Sequence, residues 1–112
     1  MDCLFCKIIA GDIPSTAVYE DDEVYAFRDI APQAPTHILV IPKAHVANAA
    51  EALEHPGLME TVLRAAVRIA EQEGLSDKGY RLVSNTGDDA RQSVRHFHVH
   101  VLGGKTLADR MS

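Results

Sequence analysis

No apolar run in this chain approaches the length of a membrane span, and the opening residues, Met1-Asp2-Cys3-Leu4-Phe5-Cys6-Lys7, lack the basic stretch and apolar core of a secretion signal. The expectation is a soluble cytoplasmic protein with no membrane partner. Positive charge is not in excess either: 11 Lys and Arg stand against 16 Asp and Glu, a formal net charge of −5. That balance excludes a broad basic footprint on a polynucleotide but leaves room for a local nucleotide pocket. Cysteine is scarce, with only two residues, and in a reducing compartment these are expected to be free or metal-bound rather than disulfide-linked. Repeats and linkers are missing too. With 112 residues, 46% of them hydrophobic and 24% charged, the chain is expected to form a single domain over 1–112 with one site.

What is present is a run of alternating histidines, His96-Phe97-His98-Val99-His100-Val101-Leu102, followed at once by Gly103-Gly104. Side chains alternate faces along a strand, so Phe97, Val99 and Val101 are expected to enter a core while the three imidazoles line the opposite face. At a rise of about 3.3 Å per residue the outer two imidazoles lie roughly 13 Å apart, too far for one metal ion to collect all three. Two readings stay open: catalytic imidazoles, or a His-x-His pair of metal ligands completed from elsewhere. Cys3-x-x-Cys6 bears on the second. As a redox motif it should follow a strand in a βαβ unit, whereas as a metal motif it is half of a zinc site.

The remaining pattern predicts the scaffold. Residues 4–10 read as a short helix ended by Gly11. Strands are expected over 17–19 and 24–28, joined by the solvated acidic tip Glu20-Asp21-Asp22-Glu23, and over 37–42 after a stiff loop containing Pro32 and Pro35. Pro56 suits the first turn of a long amphipathic helix reaching about Glu73, with Met59, Val62, Leu63, Ala66, Ile69 and Ala70 as its core stripe. A strand over 80–85 and a polar loop over 86–93 then deliver the histidines. The order α-β-β-β-α-β-β predicts an α+β fold, an antiparallel sheet covered by helix on one side. The long helix and the 80–85 strand offer apolar surface and a free edge, which predicts a two-fold homodimer.

These motifs taken together resemble the histidine triad (HIT) family, in its nucleotide-binding phosphoramidase branch. The resemblance covers nearly the whole chain: Cys-Leu-Phe-Cys-Lys-Ile at the start, Phe27-Arg28-Asp29-Ile30, Pro32-Gln33-Ala34-Pro35-Thr36-His37, Val40-Ile41-Pro42-Lys43, Gln92-Ser93-Val94 and the histidine run. It implies a HIT-like fold: a five-stranded antiparallel sheet with one long and one short helix. It also implies attack on the α-phosphorus of a purine nucleoside phosphoramidate or acyl-adenylate through a nucleotidyl-histidine. His98 is then the nucleophile, His100 and Ser93 act on the phosphate, and Asn85, Gln92 and Ser93 help place it and the leaving group. Asp29 accepts hydrogen bonds from the ribose hydroxyls, and Ile30 packs on the base of an AMP-type nucleotide. The resemblance further implies a structural Zn2+ held by Cys3, Cys6, His45 and His96, and a homodimer with two separate sites. Two other functions fit the same residues: dinucleoside polyphosphate hydrolysis, and a non-catalytic nucleotide-binding scaffold. Two departures stand out. Ala90-Arg91-Gln92 replaces the usual Gly-Gly-Gln, adding a cation near the phosphates, and the tail from Lys105 to Ser112 is short.

Overall fold

Hydrophobic alternation in the β-branched segments and an amphipathic helix build a sheet with apolar packing on both faces. The computed structural model describes residues 3–110. The elements are α1 (Leu4–Ile9), β1 (Ala17–Glu20), β2 (Val24–Arg28), β3 (Thr36–Pro42), α2 (Ala49–Ala52), α3 (Leu58–Gln72), β4 (Tyr80–Val83) and β5 (Val99–Gly103). The five strands form one sheet in the order β1-β2-β3-β5-β4, every neighbouring pair antiparallel. The acidic tip between β1 and β2 is a tight turn, because Asp21 Oδ1 accepts the backbone N–H groups of Glu23 and Val24, each at 2.8 Å.

The helix α3 supplies the larger core. Val62, Ala66, Ile69 and Ala70 are buried on it, packed with Val40, Phe97, Val99 and Val101 from the sheet. The expected stripe shifts by part of a turn: Ala65 is in the core, Met59 is only partly buried and Leu63 is 38% exposed. Pro56 lies outside the helix, whose N-cap is Gly57 at φ +81°. A second short helix, α2, was not expected. Asn48 starts it by accepting the Glu51 N–H at 3.0 Å through its side-chain oxygen.

The opposite face is not open as expected. On it α1 seats Phe5 and Ile8 against Tyr25, Phe27, Leu39 and Ile41, so the face that carries the histidines also has an apolar roof. The histidine segment departs from its predicted strand in a related way. Residues 99–103 pair with β3 and β4, but 96–98 do not. There the Phe97 N–H donates to the Val46 carbonyl at 2.7 Å instead. Alternation survives the break, since Phe97 and Val99 face α3 while His96 and His98 face α1. At the end of β5, Gly103 lets Leu75 pack close: a β-carbon there would lie 2.9 Å from the tip of the Leu75 side chain, which would have to move. No helix among the described residues is long and apolar enough to cross a membrane.

Candidate active site and metal centre

His98 is buried, 3% exposed, and its Nδ1 lies 2.7 Å from the backbone carbonyl oxygen of His96. A carbonyl only accepts, so Nδ1 carries the proton and Nε2 is left with its lone pair. Burial lowers the His98 pKa from its ordinary value, which keeps that lone pair free of a proton at neutral pH. Phe5 packs edge-on against the ring, centroid to centroid 5.1 Å, and His100 does so at 5.0 Å. The imidazole is therefore aimed by a backbone acceptor and braced by two rings.

His100 has its own orienting partner, one that sequence reasoning did not assign. The Gln33 backbone N–H donates to His37 Nδ1 at 3.1 Å, which places the His37 proton on Nε2. That N–H donates to His100 Nδ1 at 2.9 Å, so the remaining His100 proton sits on Nε2 and is available to a ligand. Burial, then repulsion from His98 and His37, pushes the His100 pKa down to about 4. Burial also lowers His37, against the raising effect of Asp29, whose Oδ2 stands 3.4 Å from His37 Nε2. Asp29, His37 and His100 converge closely enough to suggest a cation. The Gln33 donor argues otherwise, because it holds the proton on the very nitrogen a metal would need. His37 is separated from His100 by 63 residues, and no local pattern links them; only their shared sheet face brings them together.

The loops bring the other expected residues to varied surroundings. Asp29 follows β2 and is half-buried, with Oδ1 accepting the Ala31 N–H at 2.8 Å. Ile30 beside it is 99% exposed, an isoleucine with no apolar neighbour to cover it. Ser93 is exposed and Asn85 half-buried. The Gln92 side chain, expected at the nucleotide, makes hydrogen bonds within the protein. Nε2 donates to the carbonyls of Ala47 and Val94 at 2.6 and 3.0 Å, and Oε1 accepts from the Gly87 N–H at 3.0 Å. Gln92 thus clamps the loop that carries Ser93. In the same loop Arg91 adopts φ +59°, a left-handed conformation that costs a side chain with a β-carbon on the order of 1 kcal/mol. Arg91 thus uses a backbone that glycine adopts without strain.

Cys3, Cys6, His45 and His96 form a second cluster, their ligand atoms all within 4.8 Å of one another. His96 Nδ1 lies 3.3 Å from Cys3 Sγ, 3.6 Å from Cys6 Sγ and 3.2 Å from His45 Nδ1, and Cys6 Sγ lies 3.4 Å from His45 Nδ1. These separations match the edges of a tetrahedron drawn about a metal with bonds of roughly 2.0 to 2.3 Å. His96 Nε2 faces the Pro42 carbonyl at 2.8 Å, which fixes its proton there and turns a bare Nδ1 toward the cluster, the outer hydrogen bond typical of a ligating histidine. Burial, followed by the hydrogen bond and charge of Cys3, pushes the Cys6 thiol up to about 11, a shift that a bound cation would oppose. The residues fit a metal ion. His96 is completely buried, so its ring serves this cluster while its carbonyl serves His98.

The α+β sheet, with one backbone-aimed imidazole beside a second that bears a free N–H, has the fold of a class of proteins, the HIT family hydrolases. The chain belongs to the HIT family, whose HIT domain matches residues 10–107. It is similar to the purine nucleoside phosphoramidase of Escherichia coli K12, 46% identical over 112 residues that cover 99% of this chain and 94% of that one. It also resembles the 14 kDa zinc-binding protein of Zea mays, 53% identical over 107 residues, 93% of this chain and 83% of the relative. The solved structure of a HIT family hydrolase from Clostridium thermocellum superposes with a TM-score of 0.93 at 44% identity, covering 99% of this chain and 97% of that one. The chain is an enzyme, a hydrolase of this family.

Proposed function

We propose that this hydrolase cleaves purine nucleoside phosphoramidates and acyl-adenylates at the α-phosphorus through a nucleotidyl-His98 intermediate. The observation that carries the reading is the 2.7 Å hydrogen bond from His98 Nδ1 to the His96 carbonyl, which leaves Nε2 as an aimed nucleophile. In the first step Nε2 bonds to phosphorus as the bond to the leaving group breaks. The departing atom keeps the electron pair and, when it is nitrogen, takes up a proton from solvent, which the attacking water of the second step gives back. The Nε2–H of His100, with Ser93 and Asn85, donates to the phosphoryl oxygens as their charge grows. Water then displaces His98 from phosphorus and releases the nucleotide. Asp29 retains lone pairs for the ribose hydroxyls, and exposed Ile30 offers its side chain to the base. Rapid quenching of single-turnover reactions with adenosine phosphoramidate, followed by peptide mapping, tests this directly. An adduct on His98 is expected, and one on His96 or His100 would overturn the assignment.

The metal reading is a structural Zn2+ on Cys3, Cys6, His45 and His96, supported by the tetrahedral spacing of the four ligand atoms and by the zinc-binding name of the maize relative. Four protein ligands close the coordination sphere, so the ion supplies a cross-link between the N-terminal segment and the sheet. The assembly reading is a homodimer. Its support is the unpaired edge of β4, the last strand in the sheet order, and the exposure of Leu63 and Val67 on α3, 38% and 37%.

A further inference from the structure

Arg91 is the sole non-glycine residue with left-handed φ among the described residues. The loop around it is tightly held. Its N–H donates to the Asp88 carbonyl at 2.9 Å, the Gln92 N–H to the Gly87 carbonyl at 3.0 Å, and the buried Gln92 amide ties the next residue to the Ala47 carbonyl. From this clamp two residues lead to Ser93. Glycine would adopt the same backbone without cost, so an arginine kept there under strain on a site loop points to a use for its side chain. That side chain is exposed and none of the ion pairs among the described residues involves it. Of the two acidic residues just before it, Asp88 is taken by Arg95, and Asp89 forms no ion pair with Arg91. In a chain of net charge −5, this is a rigidly mounted cation whose planar fork is free to meet an anion.

We propose that Arg91 determines leaving-group specificity: it binds negative charge on the group expelled from the α-phosphorus, so that the favoured substrates are phosphoramidates and acyl-adenylates whose leaving group carries a carboxylate or comparable anion. The assignment rests on the reading of the site under Proposed function. An amine that departs with a carboxylate attached meets the guanidinium as it separates from phosphorus, whereas its neutral amide counterpart gains nothing from the same contact.

The test compares two adenosine 5′-phosphoramidates that differ only in charge, one of β-alanine and one of β-alaninamide, with wild-type protein and the variants R91N, R91G and R91K. Asparagine and glycine tolerate the left-handed backbone, so the loop is retained while the cation is lost. The wild-type ratio of kcat/KM, carboxylate over amide, should fall by about tenfold in R91N and R91G and stay within about threefold in R91K, and it should shrink as salt rises. A ratio equal in wild type and R91N would overturn the role of Arg91 while leaving the phosphoramidase reading in place. Turnover of neither compound by wild-type protein would bring down both.

Discussion

The Nε2–H of His37, on β3, points at Nδ1 of His100, on β5, across 2.9 Å. Because Gln33 fixes the His37 proton from the other side, this bond sets the tautomer that leaves His100 with a free N–H, the donor proposed for the phosphate. Replacing His37 with leucine removes the orienting donor without touching substrate. We expect kcat to fall by about ten- to a hundredfold with a smaller change in KM, and the 15N shifts of His100 to show a changed tautomer balance. Unaltered 15N shifts in the variant would refute the linkage.

His98→Ala deletes the proposed nucleophile and spares Asp29, Ile30 and His100. Turnover of adenosine phosphoramidate should drop by at least about a thousandfold, while AMP affinity measured by calorimetry stays within a few fold. Activity close to that of wild type would end the covalent mechanism.

Acid should destabilise the protein before it denatures it. Burial holds His37 and His100 below the usual imidazole range, His100 at about 4, so the unfolded chain takes up protons there before the native state does. Stability is fully present above the ordinary imidazole pKa of about 6.5 and is lost as pH falls from there toward about 4. For His100 the loss is on the order of 2 kcal/mol after solvent screening. Thermal melts from pH 7 to 4 should show it, with a flatter dependence in His100→Asn; equal slopes in the two proteins would contradict it.

Chelation should strip the Cys3, Cys6, His45 and His96 site and lower Tm by roughly 10 °C, because an ion bound only by the native state stabilises by mass action. Activity well below the melting range should change less. Elemental analysis of protein produced with adequate zinc should give about one ion per chain, and His45→Ala should lower that figure sharply. Metal-free protein with unchanged Tm would defeat the assignment.

Light scattering over a dilution series should report a mass near two chains at micromolar concentration. Charged substitutions at both Leu63 and Val67, which are surface positions on α3, should shift the mass toward one chain while leaving far-ultraviolet circular dichroism intact. A single-chain mass for the wild type would refute the dimer.

The residues differ in how far they could be read without coordinates. Periodicity alone placed Phe97, Val99 and Val101 in a core and His98 on the opposite face, since side-chain alternation is a local property of extended backbone. The same locality located α1, β2 and the acidic turn at Asp21. It failed at Leu63 and Ala65, because a helical stripe is a broad sector and only the shape of the sheet beneath α3 decides which edge of that sector is covered. It failed also at residues 96–98, where the ladder stops because the Phe97 N–H is claimed by Val46.

The sequence by itself determined the kinds of groups and their parity: three histidines on one face, two thiols one helical turn apart, an aspartate followed by an isoleucine. Tertiary structure decided which nitrogen of each imidazole holds its proton. His96, His98 and His100 are chemically identical side chains two residues apart. They are separated by their partners: a proline carbonyl from β3, the preceding histidine's own carbonyl, and His37 from 63 residues away. An imidazole becomes ligand, nucleophile or donor according to which nitrogen holds its proton, and that is fixed by groups the chain must fold to deliver.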